Sequence, residues 1–109
     1  LGGTLAYLAA ARLDPDATVA YYGTHIQNYL DDGYNISSPF TLHMGKKDHV
    51  VGKENIKRVC DALADIPNAT VHLYNAGHGY ANPHLPEYYN AKLAEQTHQR
   101  TFEVFNRLF

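Results

Sequence analysis

Two short loops hold the residue types that could do chemistry together. Asp48 stands in HMGKKDHVV (43–51), just past an apolar run, and His78 stands in AGHGYANP (76–83), just past another and between Gly77 and Gly79. A carboxylate that accepts from one imidazole nitrogen fixes the tautomer and steadies the imidazolium. The other nitrogen is then free to take a proton from a hydroxyl or thiol. Such a pair lacks one partner, the nucleophile. The chain opens LGG (1–3), a glycine turn set against the start of a helix, which is the pattern that follows a nucleophile on a strand-to-helix turn. The expectation is that the attacking residue lies just ahead of Leu1, outside these 109 residues.

For the two loops to meet, the elements around them must bring them to one end of a sheet. Leu5, Leu8, Ala9 and Arg12 keep helical spacing from Thr4 to LDPD, where Asp14 precedes Pro15 and the helix should stop. ATVAYYG (17–23) and SPFTLHMG (38–45) are short apolar runs closed by Gly23 and Gly45, and read as strands buried on both faces. THIQNYLDDGYNIS between them holds a short helix and then a loop turning at Asp32, Gly33 and Asn35. GKENIKRVCDALADIP places Ile56, Val59, Cys60 and Leu63 on one helical face and stops at Pro67. ATVHLYNAG (69–77) is a third strand, and a long helix from about Pro86 to Phe109 should turn Tyr89, Leu93, Phe102, Phe105 and Leu108 to a core.

Helix and strand alternate, which predicts an α/β architecture with a parallel sheet flanked by helices. In open sheets of this kind functional groups gather beyond the carboxyl ends of the strands, where both Asp48 and His78 fall. Gly77 and Gly79 are expected to give the histidine loop backbone freedom closed to other residues. Three strands make a narrow parallel sheet, so a preceding half of the domain is expected.

The order nucleophile, acid, histidine along the chain is that of the α/β-hydrolases. At these places the sequence resembles the dienelactone hydrolase family, a branch of that superfamily. The family's elbow reads G-x-C-x-G-G, of which LGG would be the part after the nucleophile; AYYG (20–23), HMGKKDHVV and AGHGYANP are similar to its recurring segments. The resemblance runs over essentially the whole chain. It implies an α/β-hydrolase fold in which residues 1–109 form the C-terminal half of a single domain, and a hydrolase of small-molecule carboxylic esters or lactones that needs no cofactor. Asp48 and His78 would be catalytic, the backbone N–H of Leu1 an oxyanion donor, and the nucleophile Cys by resemblance, with Ser the alternative. Tyr22, Tyr80 and Asn82 would shape the substrate pocket. Family members acting on dienelactone carry an arginine four residues past the histidine. Asn82 stands there in this chain and cannot make a bidentate pair with a carboxylate, so an uncharged ester or another lactone is expected. The parent is expected to be a monomer and the chain alone inactive, since losing the nucleophile costs about as much as losing the triad. The alternatives are a non-catalytic relative that binds a small molecule or a partner protein, and a domain that covers its open sheet edge by self-association.

Composition narrows the classes further. Nine Lys and Arg are scattered among eleven Asp and Glu, for a formal charge of −2, which leaves no basic footprint for nucleic acid. No apolar run reaches the roughly 18 to 20 residues of a membrane span. The single cysteine, Cys60, cannot close an internal disulfide, which fits a reducing, cytoplasmic setting, and its apolar helical face makes it a core residue rather than the nucleophile. His43, His49 and His72 fall on different elements without metal-ligand spacing, so no metal is expected.

Overall fold

A computed structural model describes residues 1–108 of the chain. The elements are α1 (Gly2–Leu13), β1 (Thr18–Tyr21), two 3₁₀ turns (Ile26–Asn28 and Leu30–Asn35), β2 (Phe40–Gly45), α2 (Lys53–Ala64), β3 (Ala69–Tyr74) and α3 (Ala91–Asn106). The strands form one parallel sheet in the order β1-β2-β3. Phe40 pairs with Thr18 on one side and Ala69 on the other. Parallel neighbours need crossover connections, and the 3₁₀ turns and α2 supply them.

The central strand β2 is buried along its whole length, as its apolar run predicts. β1 alternates between buried and half-buried, and β3 carries exposed residues at Thr70 and Leu73. Burial on both faces therefore holds for β2 and not for β1, because β1 is an edge among the described residues. Phe40, Leu42 and Met44 point to one side of the sheet, where they meet Tyr7 of α1 and Ile56, Val59 and Leu63 of α2 in the main core. Cys60 packs against this core only partly buried, and burial pushes its thiol up. A raised thiol is a poor nucleophile.

α1 begins two residues earlier than its spacing predicts, and the face it buries runs through Tyr7 and small residues. Gly3, Thr4, Tyr7, Ala10 and Ala11 are buried, whereas Leu5 is 55% exposed. Small residues let the helix lie close to the sheet, and Tyr7 reaches past it to donate to the Tyr29 carbonyl (2.9 Å) and meet Phe40 edge-on. The helix ends at Asp14 in the left-handed conformation (φ 52°), since Pro15 excludes right-handed helix from the residue before it and aspartate tolerates that region.

α3 covers the other side of the sheet, and here the expected core is corrected. Its buried residues are Ala94 and Thr97, while Phe102, Phe105, Leu108 and Tyr89 are exposed. The helix starts at Ala91, capped by Asn90, whose side chain accepts from Leu93 N–H (3.0 Å); its predicted end at Phe109 lies outside the described residues. The reason lies in the sheet. On this face stand Tyr21, His43 and Tyr74, whose polar heads need partners once buried. Thr101 spends its own hydroxyl proton on the Thr97 carbonyl (3.0 Å), so its oxygen accepts from Tyr21 (2.8 Å) and from His43 Nε2 (3.3 Å). His43 Nδ1 then accepts from the Tyr74 hydroxyl (2.8 Å), whose oxygen takes Arg100 (3.2 Å). Small hydroxylated residues satisfy that set where phenylalanines could not.

His43 is fully buried, and burial, followed by the neighbouring His72, Arg100 and His98, pushes its imidazole down to about 4. The unfolded chain takes up this proton near pH 6.5, the folded one only near 4. Stability should therefore fall as pH drops through that window, by about 3 kcal/mol in full, and this residue adds no pH dependence above it. Urea midpoints at pH 7 and 4.5 check this: His43→Asn should show a shallower fall than the parent chain, and equal falls would exclude His43 as the source.

Candidate active site

The carboxyl ends of β2 and β3 are laced together beyond the sheet. Lys46 N–H donates to the Tyr74 carbonyl (2.8 Å) and Lys47 N–H to the Ala76 carbonyl (3.0 Å), so the two following loops run side by side. Gly45 makes this possible, because a Cβ there would overlap the Ala76 carbonyl oxygen. The first loop delivers Asp48, fully buried, and the second delivers His78, whose side chain is 30% exposed.

His78 Nδ1 lies 2.7 Å from Asp48 Oδ2. The other carboxylate oxygen, Oδ1, accepts from the backbone N–H groups of Val50 and Val51 (3.0 Å each). The carboxylate is thus fixed by its own loop before it meets the histidine, and it can only accept. Nδ1 must then carry a proton, and a neutral imidazole presents an unprotonated Nε2, which has no partner among the described residues. Of the flanking glycines, Gly79 uses the left-handed region (φ 74°), and Gly77 does not.

His78 opens onto a cavity of about 370 Å³ that it shares with Leu1, Gly2 and Gly3 at the start of α1 and with Tyr22 and Thr24 at the end of β1. The four sequence-expected site residues beyond the pair divide accordingly. Leu1 and Tyr22 line the cavity. Tyr80 does not: it is fully buried, and its hydroxyl donates to Thr97 (2.7 Å) beneath the loop. Asn82 does not line it either, since its side chain accepts from His84 N–H (2.9 Å) within the loop. Thr24 and Ala6 line the cavity without any motif to mark them; the spacing of Gly3 and Ala6 on one helical turn is the signal that points there.

The Tyr22 ring centroid lies 5.1 Å from that of His78, and the phenol oxygen accepts from Ala81 N–H (3.3 Å). Burial pushes the Tyr22 phenol up from its ordinary value. Among the described residues no helix is long and apolar enough to cross a membrane.

The family profile described as dienelactone hydrolase family matches residues 1–109. A carboxymethylenebutenolidase of Pseudomonas sp. is 32% identical over 108 residues, 99% of this chain and 45% of the relative. Carboxymethylenebutenolidase 1 of Cupriavidus pinatubonensis is likewise 32% identical, over 99% of this chain and 46% of its own length. The crystal structure of a candidate dienelactone hydrolase from Klebsiella pneumoniae subsp. pneumoniae superposes with a TM-score of 0.83 at 22% identity, covering 95% of this chain and 48% of that one. The chain spans about half the length of the curated relatives it matches.

Proposed function

Because the chain belongs to the dienelactone hydrolase family, we propose that Asp48 and His78 are the acid and base of a carboxylic ester or lactone hydrolase whose nucleophile stands directly ahead of Leu1 in the whole protein. The observation that carries this reading is the 2.7 Å contact of His78 Nδ1 with a buried carboxylate. It leaves Nε2 as the free base of a side chain on a cavity that begins at residue 1.

In the reaction His78 Nε2 takes the proton of the attacking thiol or hydroxyl as its sulfur or oxygen adds to the substrate carbonyl carbon. Asp48 steadies the imidazolium that results. The Leu1 backbone N–H, following the nucleophile, donates to the oxyanion. The imidazolium then protonates the leaving oxygen, the acyl-enzyme remains, and His78 activates the water that releases the acid. With Asn82 four residues past His78 and bonded inside its loop, where it makes no bidentate pair with a carboxylate, an uncharged ester or lactone fits better than a dicarboxylate-like lactone.

Residues 1–109 are on this reading the C-terminal half of one α/β-hydrolase domain in a cytoplasmic monomer, and the chain alone is inactive. A second reading has one observation in its favour. The outer edge of β1 has no partner strand among the described residues, and such an edge invites pairing between copies. The two are separated by quenching the whole protein in acid during turnover of a slowly hydrolysed aryl ester and mapping the acyl group by tandem mass spectrometry. The expected position is the residue before Leu1, with none on the chain alone; an acyl group on Cys60, or none at the expected position, overturns the hydrolase reading.

A further inference from the structure

Tyr22 is held where a tyrosine rarely goes. Its φ is 74°, in the left-handed region where a Cβ crowds the backbone. Among the described residues the other non-glycine residue with positive φ is Asp14, which caps a helix, a setting that explains itself. Backbone strain next to a reactive group persists only where the surroundings over-determine it.

Those surroundings are specific. The Tyr22 backbone N–H donates to the His43 carbonyl (2.8 Å), and this bond pins the turn to the end of β2. The phenol oxygen accepts from Ala81 N–H, three residues beyond His78 and 59 positions from Tyr22 in the chain. The ring meets Tyr21 and Tyr80 edge-on, at 6.0 and 5.9 Å, and lies against the imidazole of His78 at 5.1 Å and 48°. One hydrogen bond, donated by Nδ1–H to Asp48, sets where Nδ1 points but leaves the imidazole free to tilt about it. A second surface against the ring removes that freedom.

We propose that Tyr22 is a positioning residue for His78, its ring and hydroxyl holding the imidazole and the loop that carries it so that Nε2 faces the cavity. This rests on the reading of Asp48 and His78 as an acid–base pair. Tyr22 touches no reacting atom on this view; it acts through the histidine.

The test uses the whole protein with Tyr22→Phe, which loses the bond to Ala81, and Tyr22→Gly, which loses the ring but adopts positive φ without strain. For an aryl ester, kcat should fall about 3- to 10-fold in Tyr22→Phe and about 100-fold in Tyr22→Gly, with KM within about twofold in both. The ring proton signals of His78, followed by NMR against pH, should move in both variants while those of His43 hold. A rise in KM with kcat unchanged would make Tyr22 a substrate wall and overturn the proposal, as would a loss of kcat with His78 signals unmoved. His78→Gln with full activity sinks the acid–base reading itself. An inactive His78→Gln beside a Tyr22→Gly of full kcat sinks only the positioning role.

Discussion

His78→Gln in the whole protein should lower kcat for an aryl ester by about 10³-fold or more, with KM within about threefold. Glutamine keeps a polar group of similar reach, but its amide neither takes a proton from a nucleophile near neutral pH nor returns one to a leaving group. The fold should be untouched, because the His78 side chain is 30% exposed and makes one side-chain hydrogen bond, to Asp48. Near-UV circular dichroism and the urea midpoint supply that control. A variant that keeps kcat within tenfold would remove His78 from proton transfer.

The pair was legible because both of its members obey a rule about place. Each follows a short apolar run closed by a turn, and loops at the carboxyl ends of parallel strands converge. The structure brings Asp48 and His78 together for that reason and by the Lys46 and Lys47 bonds across the two loops. The loop's finer geometry was not legible. Tyr80 and Asn82 sit two and four residues past His78, yet which way each turns depends on Gly79 at φ 74° and on a Thr97 partner in another element.

The helices show a different limit. α1 is apolar nearly all round, so a stripe through Leu5 and Leu8 satisfies helical periodicity as well as the stripe through Tyr7 and Ala10 that is buried. Close approach to the sheet decides between them, and that favours the side with small residues. In α3 the aromatic residues suggest a greasy stripe, whereas the strands present tyrosine and histidine heads that Thr101 and Arg100 satisfy. Hydrophobic period reads one partner of an interface; the other partner sets what the interface requires. α2 is legible from its sequence because its polar and apolar faces are sharply divided, with Ile56, Val59 and Leu63 buried and Lys53, Glu54 and Lys57 exposed.

Asp48→Asn separates the two things Asp48 does. The amide oxygen can go on accepting from Val50 and Val51 N–H, so the loop keeps the bonds that hold it. The amide nitrogen then faces His78 Nδ1 as a donor, and the imidazole must answer with an unprotonated Nδ1 and a protonated Nε2. That tautomer cannot serve as base, so kcat should fall by about 10⁴-fold while the urea midpoint stays near that of the parent. Asp48→Ala leaves the buried Val51 N–H and the part-buried Val50 N–H without their acceptor and should lose about 1 to 3 kcal/mol of stability as well. The ¹⁵N shifts of the His78 ring report the tautomer directly: Nδ1 protonated in the parent, Nε2 protonated in Asp48→Asn. Full activity in Asp48→Asn would reduce Asp48 to a loop-holding residue, and the catalytic geometry would have to be sought elsewhere around the cavity.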